Sequence, residues 1–169
     1  PYAVEAGAKI LDQGGSAADA MVAIQSVLGL VEPQSSGIGG GGFLIWFDAA
    51  SGRITTLDGR ETASQHVTPG LFQDDSGQPL KFFDAVIGGR SVGVPGTPAL
   101  MLDAHKRWGK LDWSTLFQPG INLAKTGFKV SPRLSMLVAR DAKRLNRFKR
   151  TSTYFHPVSY THLRAHETG

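Results

Sequence analysis

A chain of 169 residues that is 41% hydrophobic and 19% charged, with 21 glycines and 9 prolines, has the composition of a folded domain and not of a disordered tail. The absence of cysteine excludes a disulfide framework, a thiolate nucleophile and a cysteine-based zinc site, and the longest apolar stretch, residues 17–31, is broken by Asp19, Gln25 and Ser26 and falls short of the roughly 20 residues a bilayer span needs. The net charge of +4 is concentrated in Arg133, Arg140, Lys143, Arg144, Arg147, Lys149 and Arg150, opposed only by Asp141; with Phe148 the one aromatic inside the run, it reads as a solvated helix face, and neither nucleic acid nor a membrane span is expected.

The chain opens at Pro1 with no methionine, basic region or apolar leader, and is expected to be an internal piece of a longer gene. Val4, Ala8 and Leu11, with Glu5, Lys9 and Asp12 between them, predict a helix from Val4 to Gln13 stopped by Gly14-Gly15. Ser16 with Asp19 three residues on predicts a capping box, and the helix body Ala20 to Leu30 is apolar nearly all round, so it must be buried on most sides. It ends before Pro33, because proline pushes the preceding residue out of the helical region. After Ser36-Gly37-Ile38-Gly39-Gly40-Gly41-Gly42, the continuous apolar run Phe43 to Asp48 suits a strand covered on both faces. The turn Ala49 to Gly52 leads to a partner strand, Arg53 to Asp58, and hence a hairpin. Residues 62–91 are rich in glycine, aspartate and proline and predict loops with short strands at most. Three helices follow: one capped by Thr97 and running to Trp108, one from Ser114 to Gly127 with Pro119 near its start, and one opened by Ser131-Pro132. This element order fits α+β layers better than a repeated βαβ unit. Residues 158–169 lack any periodicity joining them to what precedes and are expected to stand outside the fold, which takes in residues 1–157.

Gly37, Gly39 and Gly42 satisfy GxGxxG, but a dinucleotide fingerprint leaves a strand and enters a helix, whereas this run leaves a helix and enters a strand. Close backbone packing, or close lining of a site, is the better account of these glycines. At the exit of the second strand, Asp58-Gly59-Arg60-Glu61-Thr62 sets an arginine between carboxylates. A guanidinium presents a planar fork of donors that suits a carboxylate, so Arg60 is a candidate clamp for an acidic substrate group, with Asp58 or Glu61 fixing its rotamer; a local surface ion pair is the plainer alternative. His66 and His105 are isolated, and His162 and His166, four apart beside Glu167, have no third ligand, so no metal and no cofactor is expected. Hydroxyls such as those of Ser36 and Thr97 have no base nearby in sequence, and no Ser-His-Asp order or nucleophile elbow occurs.

Four ordered motifs, residues 14–20 (Gly-Gly-Ser-Ala-Ala-Asp-Ala), 36–43 (Ser-Gly-Ile-Gly-Gly-Gly-Gly-Phe), 58–63 (Asp-Gly-Arg-Glu-Thr-Ala) and Gly93-Val94-Pro95-Gly96, together with Gly120 to Ala124, Gly127-Phe128 and Val130, resemble the N-terminal part of the large subunit of the γ-glutamyltranspeptidase (glutathione hydrolase) family over residues 2 to 150. The resemblance implies an N-terminal-nucleophile hydrolase fold, a four-layer αββα sandwich of which this chain holds only a part. It implies a precursor that cuts itself into large and small subunits, and a nucleophilic threonine, outside this chain, that cleaves γ-glutamyl amides through a γ-glutamyl-threonine intermediate. Glutathione or other γ-glutamyl compounds are the implied donors, and water, amino acids or peptides the acceptors. The small subunit of the same precursor is the implied partner, and the implied location is periplasmic or secreted. On this resemblance no catalytic residue is expected here; Arg60 pairs with the donor α-carboxylate and Glu61 holds Arg60 in place.

Gly59 stands where many relatives carry an aromatic or small apolar residue, and Ser64 where proline often follows the alanine; both read as tolerated variation. Without the small subunit the piece is expected to be inactive and aggregation-prone through unpaired strand edges. A cephalosporin-type acylase, sharing the scaffold but differing in its acyl pocket, is one alternative, and a non-catalytic basic nucleic-acid-binding module resting on Arg133 to Arg150 is another.

Overall fold

The computed structural model describes residues 1–156, so the expectations for residues 158–169, His162 and His166 included, lie outside the described residues. In chain order the elements are helices α1 (Tyr2–Asp12) and α2 (Ala17–Val31), strands β1 (Gly42–Asp48) and β2 (Arg53–Gly59), and helices α3 (Phe82–Val86), α4 (Thr97–Trp108), α5 (Gln118–Thr126), α6 (Pro132–Arg140), α7 (Ala142–Leu145) and α8 (Lys149–Phe155). They fall into two compact units, Pro1–Gly37 with the segment from Trp108 onward, and Ile38–Arg107. No helix of the described residues is long and apolar enough to cross a membrane.

In the unit of residues 38–107, β1 and β2 form the expected antiparallel hairpin, in a register that runs from Asp48↔Arg53 at the turn to Gly42↔Gly59 at the open end. Its turn is tied by Asp48, whose carboxylate accepts from the Ala50 N–H at 3.0 Å and the Ser51 hydroxyl at 2.7 Å. Alternation along β1 turns Leu44 and Trp46 to the more buried face, and Leu57 of β2 joins them. The other face departs from the sequence expectation: Phe43, Ile45 and Phe47, with Ile54 opposite Phe47, are 61–75% exposed, so among the described residues the apolar run is covered on one face only. The loop-rich stretch holds the short helix α3 and two 3-10 turns, Pro69–Phe72 and Gly89–Ser91, with isolated bridges Thr62↔Val94 and Gln73↔Pro79 in place of strands. Thr97 is the first residue of α4 and not its cap: the Leu100 N–H reaches the Gly96 carbonyl at 2.9 Å, one residue earlier than expected.

In the other unit, α1 ends as the sequence requires, with Gly14 at φ +86°. Ala17 is the only exposed residue of α2, which bears out the reading of a helix buried on most sides. Ala3 and Ala6 of α1 form the core with Val27 and Val31 of α2, and Tyr2, Ile24, Leu28, Leu123 and Phe128 pack around them. Fully burying one such valine is worth roughly 1.5–3 kcal/mol. The single helix expected from Ser114 to Gly127 is split into a 3-10 turn, Trp113–Phe117, and α5, whose first turn holds Pro119. Proline has no N–H to donate and its ring clashes with a preceding helical turn, so the α-helix begins at it. Ser131 caps α6 as expected, accepting from the Leu134 N–H at 3.0 Å. The basic stretch then breaks into α6, α7 and α8, with Arg144 ion-paired to Asp141.

Asp19 carries more than its capping box. Fully buried, it accepts from the Ser16 N–H at 2.9 Å and, 91 and 92 residues away in sequence, from the N–H groups of Lys110 at 2.8 Å and Leu111 at 3.3 Å. Burial by itself pushes this carboxyl up, but the backbone donors of Ser16, Lys110 and Leu111 and the Ser16 hydroxyl outweigh it, and the net shift is down. A carboxyl held below its ordinary value stabilises the fold fully above about pH 4 and loses that contribution as pH falls through the folded-state value. Asp19→Ala, which strands three backbone donors, is expected to cost about 3 kcal/mol at pH 7. Urea unfolding at pH 7 and pH 3 checks this: the gap between wild type and variant should narrow in acid, and a gap of constant size would contradict the assignment.

Candidate functional site

Three glycine-bearing segments converge on Arg60 within the unit of residues 38–107. The β ladder ends at the Gly42↔Gly59 pair, so Arg60 is the first residue past the sheet. Asp58 Oδ1 accepts the Arg60 N–H at 2.9 Å and closes a turn over Gly59. Two residues on, Thr62 and Val94 exchange hydrogen bonds, 3.3 Å from the Thr62 N–H and 2.8 Å from the Val94 N–H. Gly96 lies flat on the Gly59–Arg60 peptide: a Cβ there would collide with the Gly59 carbonyl oxygen and stand 2.6 Å from the Gly59 carbonyl carbon and 2.8 Å from the Arg60 carbonyl oxygen. The glycine run supplies the third side, because the Gly40 carbonyl accepts from the N–H groups of Gly96 at 3.0 Å and Thr97 at 3.1 Å. A Cβ on Gly41 would stand 2.6 Å from Glu61 Oε2 and from the Gly59 carbonyl oxygen. Gly59 is itself roofed by Leu100 of α4, whose Cβ would be 2.6 Å from an added side chain. No glycine between 37 and 42 has a positive φ; at Gly41 the requirement is close approach.

The Arg60 side chain is 71% exposed, and its Nε lies 3.5 Å from Glu61 Oε2, while Glu61 itself is 37% exposed. An ion pair so open to water contributes little to stability, on the order of 1 kcal/mol or less; Glu61 stands at the Nε edge of the guanidinium, and most of the side chain is exposed. A cleft of about 330 Å³ borders Arg60, lined among others by Leu57, Gly59, Pro95, Ala99, Leu100 and Asp103. The carboxylate of Asp103 is engaged by Arg107, one helical turn on, through Nε at 3.0 Å and a terminal nitrogen at 2.9 Å. The arrangement offers one largely exposed guanidinium on a tightly bounded backbone, a group whose chemistry suits a carboxylate ligand.

From the sequence, either Asp58 or Glu61 is expected to fix the Arg60 rotamer; in the structure Glu61 Oε2 lies 3.5 Å from the Arg60 Nε, whereas Asp58 meets the Arg60 backbone N–H and not its side chain. The contacts of Gly96 and Leu100 escape sequence reasoning; the Gly93-Val94-Pro95-Gly96 motif is the available signal, but spacing alone does not say what a loop touches. His66 is exposed and its N–H meets the Ser64 hydroxyl at 3.4 Å. The Ser36 hydroxyl is held at 2.9 Å by the Gln25 side-chain amide, which is no base, and Thr97 is buried at 6% exposure.

Residues 3–168 match the family model described as gamma-glutamyltranspeptidase. The chain is 40% identical over 147 residues to the glutathione hydrolase proenzyme of Bacillus subtilis, covering 87% of this chain and 25% of that protein. It superposes on the gamma-glutamyltranspeptidase from Pseudomonas nitroreducens complexed with L-DON with a TM-score of 0.84 at 34% identity, covering 94% of this chain and 46% of that one. Against the cephalosporin acylase from Bacillus halodurans the TM-score is 0.70 at 29% identity, over 86% of this chain and 26% of the other. The chain thus spans about a quarter of the length of the curated relatives it matches. The α+β fold class expected from the sequence, of the N-terminal-nucleophile hydrolase type, holds; the acylase and nucleic-acid readings are not favoured.

Gly96→Ala is expected to destabilise the chain by about 1–3 kcal/mol, because the methyl meets backbone, which cannot rotate away. Gly39→Ala, at a position with open space and no positive φ, is expected to be neutral or slightly stabilising. Thermal unfolding of the two variants side by side makes the comparison, and equal midpoints would remove the packing argument.

Proposed function

Because this chain belongs to the gamma-glutamyltranspeptidase family, we propose that it forms the donor-carboxylate-binding part of a γ-glutamyltransferase or glutathione hydrolase, in which Arg60 pairs with the α-carboxylate of a γ-glutamyl donor and Glu61 holds Arg60 in place. The observation that carries the reading is the exposed side chain of Arg60, with its Nε 3.5 Å from Glu61 and its backbone bounded by Asp58 and Gly96. A guanidinium binds a carboxylate through two parallel, charge-assisted hydrogen bonds, which fix both the position and the roll of the ligand. In a γ-glutamyl compound the α-carboxylate lies at the opposite end of a short chain from the scissile amide, so anchoring it aims that amide at one place. There a threonine hydroxyl, activated by its own α-amine, attacks the amide carbonyl; the amine of the donor leaves, and the γ-glutamyl ester is resolved by water, an amino acid or a peptide.

In this proposal the threonine belongs to the small subunit cut from the same precursor, and this chain supplies recognition and no reacting group, so it is inactive by itself. Glutathione or another γ-glutamyl compound is the donor. No cofactor or metal is needed for acyl transfer of this kind. The proposed location is periplasmic or secreted.

Arg60→Ala in the complete enzyme is expected to raise KM for a γ-glutamyl donor by about 100-fold, on the scale of a lost charge-assisted pair at about 1.5–3 kcal/mol. Arg60→Lys should restore only part, because an ammonium lacks the fork. Steady-state kinetics with glutathione tests both, and unchanged donor kinetics in Arg60→Ala would remove Arg60 from the site.

A further inference from the structure

We infer that Asp58 is a positioning residue for donor recognition, acting through the Arg60 backbone and not through its charge; this rests on the proposed role of Arg60. The strand pairing of β2 stops at Gly59, so Arg60 is the first residue that the ladder no longer holds. Asp58 Oδ1 takes that donor at 2.9 Å. The Gly59 peptide it spans is clamped from the other side by Gly96 and overlaid by Leu100, while the Thr62–Val94 bridge fixes the chain just beyond Glu61. To these packing contacts Asp58 adds a hydrogen bond that resists rotation of the Gly59–Arg60 peptide. Glycine at 59 makes that freedom larger than any other residue would, since it lacks the Cβ that narrows φ and ψ.

The ion pair of Glu61 with Arg60 steers the side chain about an axis that the backbone sets. At 3.5 Å and largely open to water it cannot correct a misdirected Cα–Cβ bond. A guanidinium fork sits at the end of a long side chain, so a small peptide rotation displaces it by an appreciable part of a hydrogen-bond length. A loss of bidentate geometry follows, felt in donor binding before it is felt in the acyl-transfer step.

The role requires an acceptor oxygen at Oδ1 and no negative charge, which separates it from an electrostatic one. In the complete enzyme, Asp58→Ala is expected to raise KM for the γ-glutamyl donor by about tenfold with kcat changed by less than about twofold, on the scale of one lost hydrogen bond. Asp58→Asn, which keeps the acceptor, is expected to bring KM back to within about twofold of wild type. In an Arg60→Ala background, Asp58→Ala should have no further effect on KM, because its target is gone. Thermal unfolding of each variant accompanies the kinetics, and the cycle keeps its meaning even if Asp58→Ala is somewhat less stable.

Failure of this inference is distinct from failure of the reading it rests on. Unchanged donor kinetics in Arg60→Ala overturns the recognition role of Arg60 and this inference with it. A large effect of Arg60→Ala beside an unchanged KM in Asp58→Ala overturns the inference alone. So does an Asp58→Asn variant as impaired as Asp58→Ala, or an Asp58 effect that persists in full without Arg60.

Discussion

The contact of Gly96 with the Gly59–Arg60 peptide is the constraint on which the candidate site depends. Backbone against backbone at this separation leaves no room for a Cβ, and it lets one short loop register three elements at once. The loop holds the end of β2 from one side, its Val94 pairs with Thr62 beyond the site, and its own N–H is tied to Gly40 in the run that precedes β1. A side chain at Gly96 would meet backbone atoms, which cannot rotate aside. The glycines of this sequence thus answer a packing requirement at Gly41, Gly59 and Gly96, as also at Gly7 and Gly15, and a positive-φ requirement at others, as at Gly14 and Gly127.

Much of the fold was legible because its signals are local. The Ser16–Asp19 capping box, the glycine stop after α1, the Ser131 cap and the β1–β2 hairpin each depend on residues within a few positions of one another, and each is present. The split of the 113–127 segment is marked in the sequence by Pro119, but a sequence pattern does not say whether a proline near a helix start shortens the helix or opens it. The site was half legible. Arg60 and Glu61 follow from residue chemistry and from the family likeness, whereas the contacts of Gly96 and Leu100 join residues some 37 to 41 positions apart and leave no trace in periodicity.

The hairpin shows where periodicity misleads. A continuous apolar run carries no record of which face meets what, so Phe43 to Phe47 read as doubly covered. Among the described residues only the Leu44 and Trp46 face is packed, while Phe43, Ile45, Phe47 and Ile54 stand open. The run records a demand for cover that exceeds what residues 1–156 supply. The site at the end of β2 is held by the opposite means, through hydrogen bonds and glycine contacts that need no cover.

Asp19 and Arg60 show two uses of a charged side chain. Asp19 is buried, and its Oδ2 accepts from backbone donors of two segments far apart in sequence, so that oxygen serves the fold. Arg60 is exposed, and Glu61 engages only its inner edge, so most of its donors remain directed to water. Exposure would ordinarily leave such a side chain free to sample many rotamers and make it a poor recognition element. What makes it suitable is that the order lies one step back, in a backbone confined by Asp58, Gly96 and the Thr62–Val94 bridge, so that the entropy lost on binding a carboxylate is confined to the side chain. In the role proposed for Arg60, a charge becomes a binding group by being left exposed on a backbone that is itself held.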